Sequence, residues 1–145
     1  MKHRGSTMEY AKERMNDIMR LYNEHISSCK YISIPHICEQ ISNMPSRRFW
    51  VSEIWASKIV MAIIKGKHPY YKMRPLKREM FQEIHKRVVE LKTKNPNWSI
   101  NKCCEIVVAQ PAPKFYLSAG SIRIMICKER KKRYEERKKR LRHCF

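Results

Sequence analysis

Glycine is scarce: Gly5, Gly66 and Gly120 are the only three in 145 residues. So few positions that tolerate positive φ leave little for tight hairpins or for loops that cradle phosphate with their backbone, which argues against a β-rich fold. Neither G-x-x-x-x-G-K-[ST] nor G-x-S-x-G occurs. Asp17 is the single aspartate, so a carboxylate cluster for two-metal nuclease chemistry would have to be all glutamate. The longest apolar run, Ile59 to Ile64, has six residues, far short of the roughly 20 needed to span a bilayer. No apolar stretch follows Met1–Thr7, so no secretory signal is visible. The six cysteines (29, 38, 103, 104, 127 and 144) form no C-x-x-C pair and no regular disulfide spacing. That usage predicts a reduced, cytoplasmic protein.

Positive charge is what the chain has in excess. Lys and Arg number 32 against 13 acids, a net charge of +19. Apolar residues make up 43%, enough to bury a core despite that charge. A balance this basic repels itself, so it points to a polyanionic partner: DNA, RNA or, less readily, an anionic membrane surface. The plain alternative is a basic protein whose charge serves solubility. Residues 65–78 hold Lys65, Lys67, Lys72, Arg74, Lys77 and Arg78 with no acid, and residues 128–143 hold ten cations and three Glu. Together these two segments supply +13 of the +19.

The chain also repeats itself in a constant register that sets position 34 on position 100. Residues 34–52, IPHICEQISNMPSRRFWVS, and 100–118, INKCCEIVVAQPAPKFYLS, are identical at six of 19 columns without a gap. These are Ile34/Ile100, Cys38/Cys104, Glu39/Glu105, Pro45/Pro111, Phe49/Phe115 and Ser52/Ser118. Upstream, Met15/Phe81, Asp17/Glu83, Ile18/Ile84, Arg20/Lys86 and Glu24/Glu90 continue the register. Unrelated segments should match at about one column. Identity is lost inside the helix that follows Ser52 and Ser118.

Each unit reads as three helices. The first runs from Met8 to about Ser27 in unit 1, with Met15, Ile18, Met19, Tyr22 and Ile26 at helical spacing. Its counterpart starts near Pro75 and carries Met80, Ile84, Val88 and Leu91. The second is capped by Ser33 or Ser99 and stops before Pro45 or Pro111. Ser52 and Ser118 cap the third, which carries Ile54, Trp55, Ile59, Val60 and Ile63, or Ile122, Met125 and Ile126 before running into the basic tail. Glu and Arg/Lys pairs four apart, such as Glu129/Arg133, support a helical tail. The expectation is an all-α protein of two tandem three-helix, helix-turn-helix-like repeats, 8–64 and 75–127, with a basic linker 65–74 and a basic helix 128–145.

A short helix, a break and a Ser-capped third helix form the pattern that places one helix in a major groove. The connection from Asn43 to Val51 is, however, roughly nine residues, longer than the three or four of a standard turn. On the third helices the expected solvent-facing contacts are Ser57 and Lys58 beside Glu53 and Met61, then Ser121, Arg123 and Lys128. Ser52 and Ser118 open the same helices. Arg47, Arg48 and Lys114 precede them, placed for phosphate. Lys65, Lys67, Lys72 and Arg74 of the linker, with Arg130, Lys131, Lys132, Arg133 and Arg137 of the tail, complete the expected phosphate contacts. The aromatic pairs Phe49-Trp50 and Phe115-Tyr116 divide: both Phe are expected in the core, while Trp50 and Tyr116 could equally be buried or stack on exposed bases.

No metal or cofactor site is expected. His25 and Cys29 stand four apart and His143-Cys144 lies in the tail, without a second ligand pair at zinc spacing. Cys38 and Cys104, on equivalent apolar stripes, read as small core residues. RPLKREMFQEIHKRV (74–88), MPSRRFWVSE (44–53) and QPAPKFYLSAGSIRIMICKERKKRYEERKKRLRHCF (110–145) resemble a family of small basic proteins from gut Bacteroidales and their phages or mobile elements. The resemblance covers most of the chain and implies a cellular setting, with no activity or site residue to carry over.

The functional expectation is a non-enzymatic protein that binds duplex DNA, with no membrane partner. Its two units could let a monomer contact a bipartite site. An RNA- or single-strand-binding protein, or a helical adaptor for a protein partner, remains open.

Overall fold

The computed structural model describes residues 10–28, 30 and 33–143. Six α-helices are formed among them: α1 (Ala11–Ser28), α2 (Ile34–Ser42), α3 (Glu53–Ile64), α4 (Pro75–Lys94), α5 (Ile100–Val108) and α6 (Ala119–His143). A 3-10 turn, Pro69–Lys72, lies between α3 and α4. The expected start of the first helix at Met8 lies outside the described residues, as do Cys29 and Cys144.

Local chemistry sets these boundaries. The Ser52, Ser99 and Ser118 hydroxyls accept the backbone N–H groups of Trp55, Lys102 and Ser121 at 3.2, 3.1 and 3.1 Å. Each thereby satisfies an N–H that has no partner inside its helix. Helices α2 and α5 start and end at positions that the repeat register makes equivalent, and α3 and α6 start at equivalent positions too.

The helices do not close as two consecutive triplets. One core joins α1 (Ile18, Met19, Leu21, Tyr22) and α2 (Ile37, Cys38, Ile41) to Ile122 and Ile126 of α6. The other joins α4 (Met80, Phe81, Ile84, Val88) and α5 (Cys103, Cys104, Val107, Val108) to Ala56, Ile59 and Val60 of α3. Each core therefore takes its third helix from the other half of the chain, so the halves interlock. The equivalent pairs Ala56/Ile122 and Val60/Ile126 are all fully buried, and burying each Ile side chain stabilises by about 2 kcal/mol.

The crossover is made by the two long connections. Ser46 and Ala112, equivalent positions of the repeat, form an antiparallel pair, each N–H donating to the other's carbonyl at 3.0 and 3.1 Å. Equivalent residues hydrogen-bonding to each other reciprocally mark a pseudo-twofold axis between them. Beyond that pair successive side chains are sent to opposite cores. Phe49 and Val51 enter the α3–α4–α5 core and Trp50 the α1–α2–α6 core. Phe115 and Leu117 go to the α1–α2–α6 core, and Tyr116 packs against the other. A connection of ten residues spans up to roughly 33 Å, ample for reaching the neighbouring core.

Two residues sit otherwise than their spacing predicts. Ile54, expected on the apolar stripe of the third helix, is 66% exposed, because α3 turns Ala56, Ile59 and Val60 inward instead. Ser57, expected to face solvent, is buried against α5 beside Cys104, whose thiol is pushed up by burial.

Candidate nucleic-acid interface

Helix α3 is stopped by its last turn. The Gly66 N–H donates to the Ile63 carbonyl and the Lys67 N–H to the Ala62 carbonyl, each at 3.0 Å, with Gly66 at φ 78°. That Schellman cap turns the chain and leaves Lys65 and Lys67 exposed beside Lys58. These three lysines share a groove of about 840 Å³ with Met61 of α3 and with Ser99, Asn101 and Lys102 at the start of α5. Glu53 and Glu105 line it too, so its lining carries four lysines against two glutamates.

Helix α6 has no such stop. Its 25 residues extend about 37 Å, yet only Ile122 and Ile126 are buried. Residues 134–143 are exposed throughout. Arg123, Lys128, Arg130, Lys131, Lys132 and Arg137 are all exposed and make no ion pair among the described residues. Arg133 is held by Glu129 at 2.9 Å. In the repeat register, Lys65 and Lys67, just past the end of α3, correspond to Lys131 and Arg133 within α6, so cations stand at matching positions in both copies. Lys72 and Arg74 of the linker are exposed as well.

The residues preceding the third helices serve the crossover instead. Arg48 is half-buried, its Nε and Nη2 donating to the carbonyls of Phe49 and Val51 at 3.1 and 3.3 Å. Its guanidinium also lies 4.0 Å from the Tyr10 ring centroid. With two N–H donors on its own loop's carbonyls and its plane against Tyr10, Arg48 clamps its own loop. Arg47 is 67% exposed, yet its Nε lies 3.5 Å from Asp17 Oδ1 and its backbone N–H donates to Asp17 Oδ2 at 2.9 Å, so buried Asp17 holds it at both ends. Lys114 pairs with Glu79 at 2.7 Å. Trp50 is 8% exposed, so its ring faces are closed to a base. Tyr116 is half-buried and stacked on Phe49 at 6.1 Å, at the unusual φ of 56°. Burial pushes its phenol up to about 12, which keeps it a neutral donor. Ser52, Ser118 and Ser121 lie at helix starts, with the Ser118 hydroxyl donating to that of Ser121 at 2.9 Å.

The structure thus brings most of the expected sites into three groups, the α3 groove, the α6 arm and the buried crossover, while Lys72 and Arg74 of the linker belong to none of them. Lys102 belongs to the first group and was missed. The signal was present, because a lysine in the first turn of a helix opposes the helix dipole, and local conflicts of this kind concentrate at functional sites.

No helix among the described residues is long and apolar enough to cross a membrane. Among the same residues no three His, Cys, Asp or Glu side chains gather where a metal could be held. The chain matches no family model, no curated protein and no solved structure, so the Bacteroidales resemblance stays an expectation.

Proposed function

We propose that this protein is a non-enzymatic, cytoplasmic DNA-binding protein that engages duplex DNA with two helix-turn-helix-like units and a basic arm. Each unit is composite: α4 and α5 carry α3, and α1 and α2 carry α6. The two third helices face the grooves, and the linker cations lie along phosphate. The mobile-element setting that the sequence resemblance implies belongs to the same proposal.

The observation that carries it is α6. Two buried isoleucines tie it to the core, and its remaining turns hold ten cations against three glutamates from 128 to 143. A fold gains nothing from concentrating like charges on an exposed helix, whereas phosphate neutralisation with counterion release rewards it.

The test is a salt titration of binding to matched duplex DNA, single-stranded DNA and duplex RNA. Duplex-DNA binding should survive competitor DNA, with a log–log salt slope of roughly −0.9 per phosphate contact. Replacing Lys131 and Lys132 by Ala should make that slope shallower by about two phosphate contacts. Equal, fully competed binding to all three nucleic acids would reduce the charge to general polyanion affinity. A protein partner on the exposed Ile54 and Ile124 (66% and 58%) would then be the better account.

A further inference from the structure

A second concavity, of about 730 Å³, opens where the crossover meets the starts of three helices. Trp50 and Trp55 line it at the start of α3, Arg74 and Lys77 at the start of α4, and Tyr116 at the approach to α6. Arg14 of α1 completes the ring of cations, and among the described residues no carboxylate lines the cleft.

Three independent features mark this cleft as built for an anion on a flat ring. First, α4 begins against the usual rule: its N-cap is Arg74, which makes no side-chain cap hydrogen bond, and its first turn contains no acid. Arg74 and Lys77 therefore face the positive end of their own helix dipole, a conflict that a bound anion would relieve. Second, Arg14 is half-buried with no hydrogen bond or ion pair from its guanidinium among the described residues, and burial pulls its pKa below the ordinary value. A desolvated, uncompensated cation is costly in a folded protein. Third, Trp50 lines the cleft and its buried indole N–H finds no acceptor among the described residues, although buried indole N–H groups usually find one. The walls beside these groups are apolar and aromatic: Trp55, Leu76, Met80, Phe115, Tyr116 and Leu117. Tyr116 holds its left-handed backbone on this wall, and strain of that kind clusters at ligand sites.

We infer that this cleft binds a single nucleotide, its base against the aromatic wall and its 5′-phosphate among Arg14, Arg74, Lys77 and the start of α4. The volume lies within the range of small-molecule sites. Such a nucleotide could be free or could be an unpaired residue of a nucleic-acid strand, since both present one base and one phosphate. The inference does not depend on duplex binding by α3 and α6, because Arg14 and Lys77 belong to neither and only Arg74 is shared with the linker cations placed along phosphate.

The test uses the full chain and adenosine 5′-monophosphate, with adenosine and inorganic phosphate as half-ligands, read by tryptophan fluorescence and equilibrium dialysis. Saturable one-to-one binding of the monophosphate is expected, at least about tenfold tighter than either half, as one additional charge-assisted hydrogen bond would give. Arg74→Ala with Lys77→Ala, both at exposed positions, should weaken it about tenfold or more while leaving the circular dichroism unchanged. Lys131→Ala with Lys132→Ala should leave it unaltered while weakening duplex DNA. A 5′-phosphorylated oligonucleotide that binds more tightly than the monophosphate, with the same sensitivity to Arg74 and Lys77, assigns the cleft to a strand. Failure of the oligonucleotide to compete, with the monophosphate bound, assigns it to a free nucleotide. Absence of saturable monophosphate binding overturns the inference. So does an effect of the Lys131 and Lys132 pair equal to that of Arg74 and Lys77.

Discussion

Helices α3 and α6 begin at equivalent positions, are capped by equivalent serines and bury equivalent pairs of side chains, yet one has 12 residues and the other 25. The divergence has a local cause. Where α3 reaches Gly66, the chain takes φ 78° and closes a Schellman cap; the corresponding position of α6 is Lys132, and the helix continues. One third helix thus ends in a groove lined by lysines, and the other becomes a cationic arm. The interlocked pair shows that a duplicated scaffold can keep its packing while one residue type at a helix end decides what each copy presents to solvent.

The anchors of the two connections differ in the same way. Asp17, 1% exposed, accepts the Arg47 N–H at 2.9 Å and Arg20 at 2.7 Å, tying α1 to its connection through a buried carboxylate. The equivalent Glu83 is half-buried and pairs with Arg87 at 3.0 Å; Arg87 then donates to the Pro111 carbonyl at 2.9 Å. One half uses acceptor chemistry in the interior, the other a guanidinium nearer the surface.

The sharpest way to break the comparison is to separate the halves. A protease site placed within 67–74 should leave the cleaved halves co-eluting and folded, because each core needs a helix from the other half. Either half expressed alone should be unfolded by circular dichroism and recover helicity on mixing. If the isolated halves fold and stay apart, the interlocking is wrong.

Next in size is Trp50→Ala, expected to cost about 4 kcal/mol in urea unfolding, as for other buried aromatic truncations. Tyr116→Ala, at the half-buried equivalent, should cost less than half of that. Equal losses would mean that the two connections are packed alike.

Asp17→Ala should destabilise by about 3 kcal/mol, since it strands a buried N–H and an arginine partner. Glu83→Ala should cost under about 1 kcal/mol, as expected of a partly exposed pair. Comparable values from the two denaturation midpoints would erase the contrast between the anchors.

The smallest effect separates the helix ends themselves. A Cβ at Gly66 would meet nothing within 4 Å, so Gly66→Ala should cost only the backbone penalty, about 1 kcal/mol. Lys132→Gly should fray α6 beyond that point at a similar local cost, lowering helicity without moving the global midpoint. A shift of the midpoint by Lys132→Gly would show that the arm stabilises the core.

Much of this architecture was legible residue by residue. Ser33, Ser52, Ser99 and Ser118 each precede a helix, the Ile18/Ile84 stripe lies in the cores, and Phe49 and Phe115 are buried at 1% and 4%. The basic arm was readable from its i,i+4 pairs. The burial of Trp50 and Ser57, the occupation of Arg48 and the cleft around Arg14 were not, because each depends on an element distant in the chain. One clue was visible: the long connection from Asn43 to Val51, which exceeds a standard turn, is the segment that crosses between cores.

Sequence alone determined where helices start and stop, which face of each is apolar and where charge accumulates. Those properties follow from caps, periodicity and composition, which act over a few residues. Only the tertiary structure decided which core each third helix joins. An apolar stripe specifies that a face must be buried and leaves its partner undefined; Ala56 and Val60 or Ile122 and Ile126 could close either pair of helices. The choice fell to the reach of the connections, the Ser46–Ala112 pairing and the alternation of side chains that sends neighbouring aromatics into opposite cores.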